Sequence, residues 1–370
     1  MIIIYLISLL LALLSGWFII WHVPYLKYQP NKHNNFSDLS IIIPARNEES
    51  NLPILLTSLA QQSINPLEIL VIDDDSQDNT KAIATKLGAN VIQPTRNDHG
   101  WVGKSAACWS GAQVANGKLL LFLDADIFLP LRESLSHILT DYEAGGSDGV
   151  LSIQPYHVIK KPYENLSAIF NIMVLAGMNS FSFLQSHLKP AGAFGPSLLC
   201  QRDTYFSVGG HEIVQDSIME NVALGKVFIE NDIPVRLFGG KNILHFRMYP
   251  SGVSDLGEGW SKSFASASKA THPFILIATS IWITGAILSF MFPFYFILQS
   301  QMINGVISIL GYFAFSWHFY RMTRLAGNFH WLAVLLYPLL FCYFIGLFGW
   351  SLIKTFIFRE VSWKGRKINM

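Results

Sequence analysis

Charge is scarce in this sequence: only 14% of its 370 residues are Asp, Glu, Lys or Arg, against 51% hydrophobic ones, and mean hydropathy is +0.35. That balance excludes an ordinary soluble domain, in which about a quarter of the residues are charged. The net charge of +1 calls for no polyanionic partner, so nucleic acid is not expected as one. Cysteine is just as sparse. Cys108, Cys200 and Cys342 lie far apart without CxxC spacing, which excludes a disulfide framework and reads as three buried thiols in a reducing compartment. Internal repeats and low-complexity stretches are also missing.

What the chain does have is apolar runs of membrane length. Residues 2–21 carry no charge, close to the ~20 residues that cross a bilayer, and they lack the basic start and small-residue cleavage site of a removable signal. Lys27 and Lys32 follow, so the positive-inside bias puts the next domain in the cytoplasm. Three more apolar blocks, 273–298, 303–320 and 331–353, come late, with Arg321 and Arg324 between the last two. Were all three to span, the basic tail would land opposite the main domain, against the same bias. One of them, the Pro338-containing block, is therefore read as re-entrant or interfacial. From Trp260 onward nine Lys and Arg face the lone Glu360, a balance suited to an anionic membrane surface. The interrupted run 163–184 reads as an interfacial or core helix rather than a span. The aromatic residues after Pro273 read as lipid-facing. The resulting division is a transmembrane helix at 1–25, a domain at 38–262, membrane-associated helices at 263–355 and a cytoplasmic basic tail at 356–370, with the lipid bilayer as an obligatory partner.

Between the membrane runs, after a polar linker at 29–37, the pattern changes. Short apolar strands at 39–44, 67–72, 90–92 and 119–123 alternate with helical patterns at 51–62, 79–87 and 106–115. Such alternation predicts βαβ units and a mostly parallel, Rossmann-like α/β sheet. In sheets of that kind, ligands lie outside the carboxyl ends of the strands. Those ends hold the polar residues: Arg46, Asn47, Glu48 and Glu49 after the first strand, Asp73, Asp74, Asp75 and Ser76 after the second, Asp124 and Asp126 after the later one. An Asp-x-Asp triplet alone is weak, because acidic strand ends often only cap a turn. Three polar clusters meeting at one sheet edge argue for a nucleotide site.

In order and spacing, Ile41 to Glu49, Val71 to Asp78 and Asp124-Ala125-Asp126 resemble the family 2 glycosyltransferases of the GT-A, nucleotide-diphospho-sugar transferase fold. The runs Gly103 to Cys108, Leu151 to His157, Ala193 to Pro196, Phe246 to Tyr249, Glu258 to Lys262 and Trp363 to Arg366 are similar to a branch that glycosylates C30 carotenoid acids. The resemblance implies an inverting membrane enzyme that moves a hexose, typically glucose, from a UDP-sugar to the carboxylate of such an acid. Another lipid acceptor (a polyprenyl phosphate, hopanoid or diacylglycerol) is the alternative. By position it implies that Asp74 hydrogen-bonds the uracil, that Ala45, Arg46 and Glu48 line the uridine pocket, and that Asp124 sits near ribose and metal. Asp126 would ligate Mn²⁺ or Mg²⁺, hard cations that favour carboxylate oxygens. Lys104 would meet a phosphate, while Phe194, Gly195, Arg247 and Trp260 would belong to the acceptor-side and closing segments. Association with other enzymes of the same pathway is a further expectation. A processive polysaccharide synthase is disfavoured, since no QxxRW run is present.

Two departures from the family pattern stand out. Asp75 occupies a position that is commonly Gly. After Gly209-Gly210, where the family carries Glu-Asp with the Asp as base, this chain has Glu220-Asn221, and asparagine cannot take a proton. An acid acceptor, already ionised near neutral pH because carboxyl pKa values lie near ~4, would need little base. The candidate bases left are Glu220 and then Asp216. Asn221 also keeps open a non-catalytic nucleotide-sugar-binding scaffold. His99, His157 and His211 have no metal-site spacing and read as loop or packing histidines.

Overall fold

The structure, a computed structural model, describes residues 1–26, 38–94, 101–217, 219–261, 270–353, 360–363 and 366–369. The linker 29–37, Lys27, Lys32, His99, Lys262, Lys269, and Lys354, Arg359 and Lys364 of the basic end lie outside the described residues. Two compact units emerge. One comprises Pro24–His157 and Gly192–Arg247; the other comprises Met1–Val23, Val158–Ala191 and Met248–Met370. Residues 158–191, read from sequence as part of the 38–262 domain, thus group with the apolar helices.

The first unit is built on strands β1 (Leu39–Ala45), β2 (Glu68–Asp73), β3 (Asn90–Ile92), β4 (Leu119–Leu123), β5 (Ile127–Phe128), β6 (Val150–Gln154), β7 (Tyr156–His157), β8 (Ser197–Gln201), β9 (Val235–Gly239) and β10 (His245–Phe246). Seven form one sheet in the order β3-β2-β1-β4-β8-β6-β9, and β5-β10-β7 form a small second sheet. β1 pairs in parallel with both β2 and β4, with Ile42 opposite Leu70 and Phe122. β8 runs antiparallel to both β4 and β6, so the sheet is mixed, and its parallel part is β3-β2-β1-β4 plus β6-β9. Nothing in the short run Ser197–Gln201 announces its direction.

Ile41, Ile42 and Ile43 are fully buried, as expected for a central strand covered on both faces. One covering element is the helix Lys104–Val114, whose buried face is made of small residues from Ser105 to Ala112. A Cβ at Gly111 would run into Ile42 and Ile72, so this glycine sets how closely helix and sheet approach. The chain winds β1 to β2 to β3 on one side and then returns to place β4 on the other side of β1. That reversal between β1 and β4 is a topological switch point, where open α/β sheets leave a crevice at the strands' carboxyl ends.

In the second unit, three helices among the described residues are long and apolar enough to cross a membrane: Ile2–Ile19, Pro273–Leu298 and Met302–Ala326. Their close packing depends on small residues, as is usual for membrane helices. Added Cβ atoms at Gly16, Gly285 and Gly311 would strike His318 and Trp282, Ala12, and Tyr5 respectively. The Tyr5 hydroxyl donates to the Ser308 carbonyl at 2.9 Å. The Pro338-containing block forms two pieces, Trp331–Leu335 and the 17-residue helix Tyr337–Ile353. The latter is shorter than the three candidate spans. Residues 163–184 include the helix Ala168–Gly177, largely buried within this unit. Toward the C-terminal end, Glu360–Trp363 and Arg366–Asn369 pair as antiparallel strands within the stretch read from sequence as a basic tail.

One thiol expectation needs correcting. Cys108 and Cys200 are buried, but Cys342 is exposed. It lies on the apolar helix Tyr337–Ile353, and an apolar neighbourhood looks alike in sequence whether it faces a protein core or the hydrocarbon of a bilayer.

Candidate functional site

The loops after β1 and β2 are pinned to each other at the sheet's carboxyl edge. The Arg46 guanidinium donates to the Asp74 carbonyl at 2.6 Å and the Asp75 carbonyl at 3.1 Å. The Asn47 N–H donates to Ser76 Oγ at 3.0 Å, while Asn47 Oδ1 accepts from the Gln77 N–H at 2.8 Å. Asn47 and Asp75 both adopt positive φ, 53° and 62°. Asx residues tolerate this left-handed region best after glycine, so Asp75 takes a turn conformation of the kind glycine favours.

Ala45 ends β1, 3% exposed. Glu48 is buried: its N–H donates to Thr80 Oγ1 at 2.8 Å and its carboxylate accepts from Asn51 Nδ2 at 2.7 Å. Both are at the strand-end cluster, with Glu48 engaged in holding its loop. Asp74 is buried, and its Oδ2 accepts from the Gly103 N–H at 3.1 Å. The next residue, Lys104, extends its ammonium to Asp124 Oδ1 at 2.7 Å, Glu220 Oε1 at 3.0 Å and the Gly195 carbonyl at 2.9 Å. The dipeptide Gly103-Lys104 therefore joins the carboxylate after β2 to the carboxylate after β4.

Burial alone would lower the Lys104 pKa, but the Asp124 and Glu220 carboxylates outweigh it and hold the ammonium above its ordinary value. For Glu220 burial pulls upward, and the Lys104 charge and hydrogen bond overcome it, leaving the carboxyl below its usual range. Both groups stay ionised. Beside Lys104, burial pushes the Cys108 thiol up, which makes it a packing residue rather than a nucleophile.

Beyond Gly195 the network continues. Asn221 Nδ2 donates to the Gly195 carbonyl, Asn221 Oδ1 meets His211 Nε2 at 3.0 Å, and His211 Nδ1 meets the Tyr205 hydroxyl at 2.8 Å. Asn221 is 2% exposed, and His211 and Tyr205 are fully buried. Burial lowers the His211 pKa to about 4, against opposing pulls from Glu220 and Asn221. His211 is a packing histidine as read from sequence, but its link to Asn221 was not legible there. The Gly-Gly turn before it was the available signal.

Other candidates fall elsewhere. Asp126 is half-buried in the turn between β4 and β5. Phe194 is buried, and its N–H donates to Ser152 Oγ at 2.9 Å, tying the segment before Gly195 to β6. Asp216 is exposed on the turn after Val214, outside the Lys104 network, which removes the second candidate base from this cluster. Arg247 is half-buried just after β10. Trp260 belongs to the other unit, where its indole N–H donates to Ser167 Oγ at 3.0 Å and its ring stacks on Phe170 at 5.0 Å.

Among the described residues, no group of three or more His, Cys, Asp or Glu side chains is arranged to hold a metal. The donor set fits a different kind of site. A hard cation of the Mg²⁺ type is held by one or two carboxylates plus substrate phosphates rather than by an all-protein cage, and Asp124 and Asp126 would be the carboxylates to offer such oxygens.

The sequence profile of glycosyl transferase family 2 matches residues 40–194, the span that carries β1, the Asp74 loop, Lys104 and both aspartates after β4. Over 337 residues the chain is 36% identical to 4,4'-diaponeurosporenoate glycosyltransferase of Staphylococcus aureus strain MRSA252, covering 91% of this chain and 89% of the relative. The chain belongs to glycosyltransferase family 2. The same-named protein of strain USA300 is 35% identical over 338 residues, with the same coverage. This family member is a nucleotide-sugar-dependent transferase with a GT-A-like α/β unit. Among solved structures, the chain is similar to glucosyl-3-phosphoglycerate synthase from Mycobacterium tuberculosis in complex with Mn²⁺, UDP and glucosyl-3-phosphoglycerate. That match has 17% identity and a TM-score of 0.45 over 68% of this chain and 88% of that one.

Proposed function

We propose that this glycosyltransferase moves a hexose, glucose, from a UDP-sugar to the carboxylate of a membrane-dissolved acid of the 4,4'-diaponeurosporenoate type, forming a glycosyl ester with inversion. The observation that carries this reading is the gathering of Asp74, Lys104 and Asp124 at the switch point while the family's base position holds Asn221. Asp74 and the Arg46 loop would receive the uridine, and Lys104 would lie on the diphosphate side. Asp124 and Asp126 would hold Mn²⁺ or Mg²⁺, which stabilises charge developing on the UDP leaving group.

An ionised carboxylate attacks the anomeric carbon without first surrendering a proton. Its oxygen forms the new bond as the bond to UDP breaks, and the electron pair leaves with the diphosphate. Glu220, engaged by Lys104 and held ionised, is then required only as that lysine's partner. The acceptor's class follows the name of the relative at 36% identity and agrees with the missing base.

The chain is further proposed to be multi-pass in the cell membrane with the sheet unit in the cytoplasm. The first helix would bring the chain in, and Pro273–Leu298 with Met302–Ala326 would go out and return, leaving Arg321 and Arg324 on the positive-inside side. Tyr337–Ile353 would lie interfacially.

The test is expression in cells with and without a C30 carotenoid-acid pathway, followed by mass spectrometry of the lipid extract. A single hexose added to the acid is expected. Hexose found only on a different lipid transfers the assignment to that acceptor. UDP-sugar binding with no product on any lipid supports the scaffold reading.

A further inference from the structure

The hydrogen-bonded chain from the buried Tyr205 to the half-buried Lys104 has a determined direction. The Gly195 carbonyl can only accept, so the Asn221 atom facing it is the amide nitrogen, and the atom facing His211 is the amide oxygen. His211 must therefore carry its proton on Nε2, which leaves Nδ1 to accept from the Tyr205 hydroxyl. That hydroxyl in turn accepts from the His211 backbone N–H at 3.0 Å. The Lys104 ammonium has three protons and three partners, Asp124, Glu220 and the Gly195 carbonyl. Donors and acceptors match at every link.

The geometry points to Asn221 as a positioning residue for transfer: backed by His211 and Tyr205, it holds the Gly195 carbonyl as the third partner of Lys104, and so fixes where the ammonium stands between Asp124 and Glu220. This rests on the donor-site reading given above. An aspartate at 221 would set a carboxylate oxygen against the Gly195 carbonyl oxygen, two acceptors with no proton between them. Asparagine alone among near-isosteres offers a donor to Gly195 and an acceptor to His211. The position has exchanged proton transfer for orientation of the cation beside the diphosphate.

The full-length protein in detergent, assayed with UDP-glucose and the carotenoid acid, provides the test. Asn221→Ala should lower kcat roughly tenfold or more, the usual cost of losing a partner that orients an active-site group. KM for UDP-glucose should change by less than kcat does, because Asn221 acts through Lys104 and the Asp74 and Arg46 loops that would receive the uridine are untouched. Asn221→Asp should do no better than Asn221→Ala, and Tyr205→Phe should show a smaller kcat loss in the same direction. Isotope-edited NMR of the histidines should find His211 protonated on Nε2 in the wild type and mixed in Asn221→Ala. A wild-type kcat in Asn221→Ala, or in Tyr205→Phe together with Asn221→Asp, overturns the inference. So does an Nδ1-protonated His211. A wild-type protein that transfers to no acid defeats the proposed function instead, and the His211 tautomer still judges the chain of contacts by itself.

Discussion

The two units of this protein differ in what their closest packing turns on, a chain of hydrogen bonds at the strand ends of one and glycines facing bulky side chains between the long apolar helices of the other. In the sheet unit, the Tyr205–His211–Asn221–Gly195–Lys104 chain matches each donor with an acceptor, running from a buried to a half-buried setting. Among the described residues, buried polar atoms without a hydrogen-bond partner occur in both units, Tyr25 Oη and Thr140 Oγ1 in the sheet unit and Trp282 Nε1 and His318 Nε2 in the helical one, but between the long apolar helices close contact also depends on Gly16 and Gly311 admitting rings. Unpaired polar atoms in a low-dielectric interior are costly, and a charged one is worse. The lesson is that the strand-end site is specified by hydrogen-bond complementarity and the seams between the long helices by shape, so these two places should fail under different substitutions.

The sharpest way to test the contrast is on the chemistry itself. Asp126→Ala should reduce transfer by on the order of a thousandfold, since a catalytic metal supplies several kcal/mol and each ~1.4 kcal/mol is a factor of ten. The fold should remain. UDP release measured with and without added Mn²⁺ checks it, and retained metal-dependent transfer would remove Asp126 from the metal's ligands.

Next in size is Lys104→Met, which leaves Asp124 and Glu220 without their shared cation. Breaking a fully buried ion pair from one side costs about 3–5 kcal/mol, and the partial exposure of these three side chains brings the expected loss to about 2–3 kcal/mol. A denaturation midpoint unchanged from wild type would show that Lys104 is not the linchpin described. The Glu220 contribution should be present above the ordinary carboxylate pKa and lost as pH falls through its lowered folded value.

His211 supplies a pH signature of similar size. Its folded pKa lies at about 4, below the ordinary value of ~6.5. Between those values the unfolded chain binds the extra proton, so stability falls as pH drops, by about 1.4 kcal/mol per pH unit and about 3 kcal/mol in all. Thermal unfolding at pH 7 and pH 4.5 should show the loss, and His211→Gln should largely erase it.

In the helical unit, Gly16→Leu should cost about 1–3 kcal/mol through overpacking against His318 and Trp282, read as a lowered unfolding midpoint in detergent. The smallest effect belongs to Gly195→Ala, whose added Cβ meets no atom within 4 Å. It should stay within about 0.5 kcal/mol of wild type. The same type of substitution thus divides by whether the glycine admits a neighbouring ring or only presents a carbonyl.

Sequence revealed the strands because each is a short apolar run ending in polar residues, and β1, β2 and β4 fall within one residue of their expected limits. It also revealed that the acidic clusters share an edge, since parallel strands put their carboxyl ends on one side. It could not reveal β8's direction, which depends on partners more than seventy residues away in Leu119–Leu123. Nor could it show that Asn221 answers to His211 and Gly195. Those contacts obey no spacing rule and depend on three separate segments folding together. Asp216 lay close to Glu220 in sequence, yet the turn leaves it exposed, a difference of facing that no periodicity encodes.

Gly103 and Lys104 adjoin in sequence, and one ties its backbone to the second-strand carboxylate while the other ties its side chain to the fourth-strand carboxylate. Two adjoining residues thereby act as a gauge between two stations of the crevice. Moving either station shifts the other, so under the proposed function a substitution meant to change which base is read would also be felt as altered handling of the phosphates.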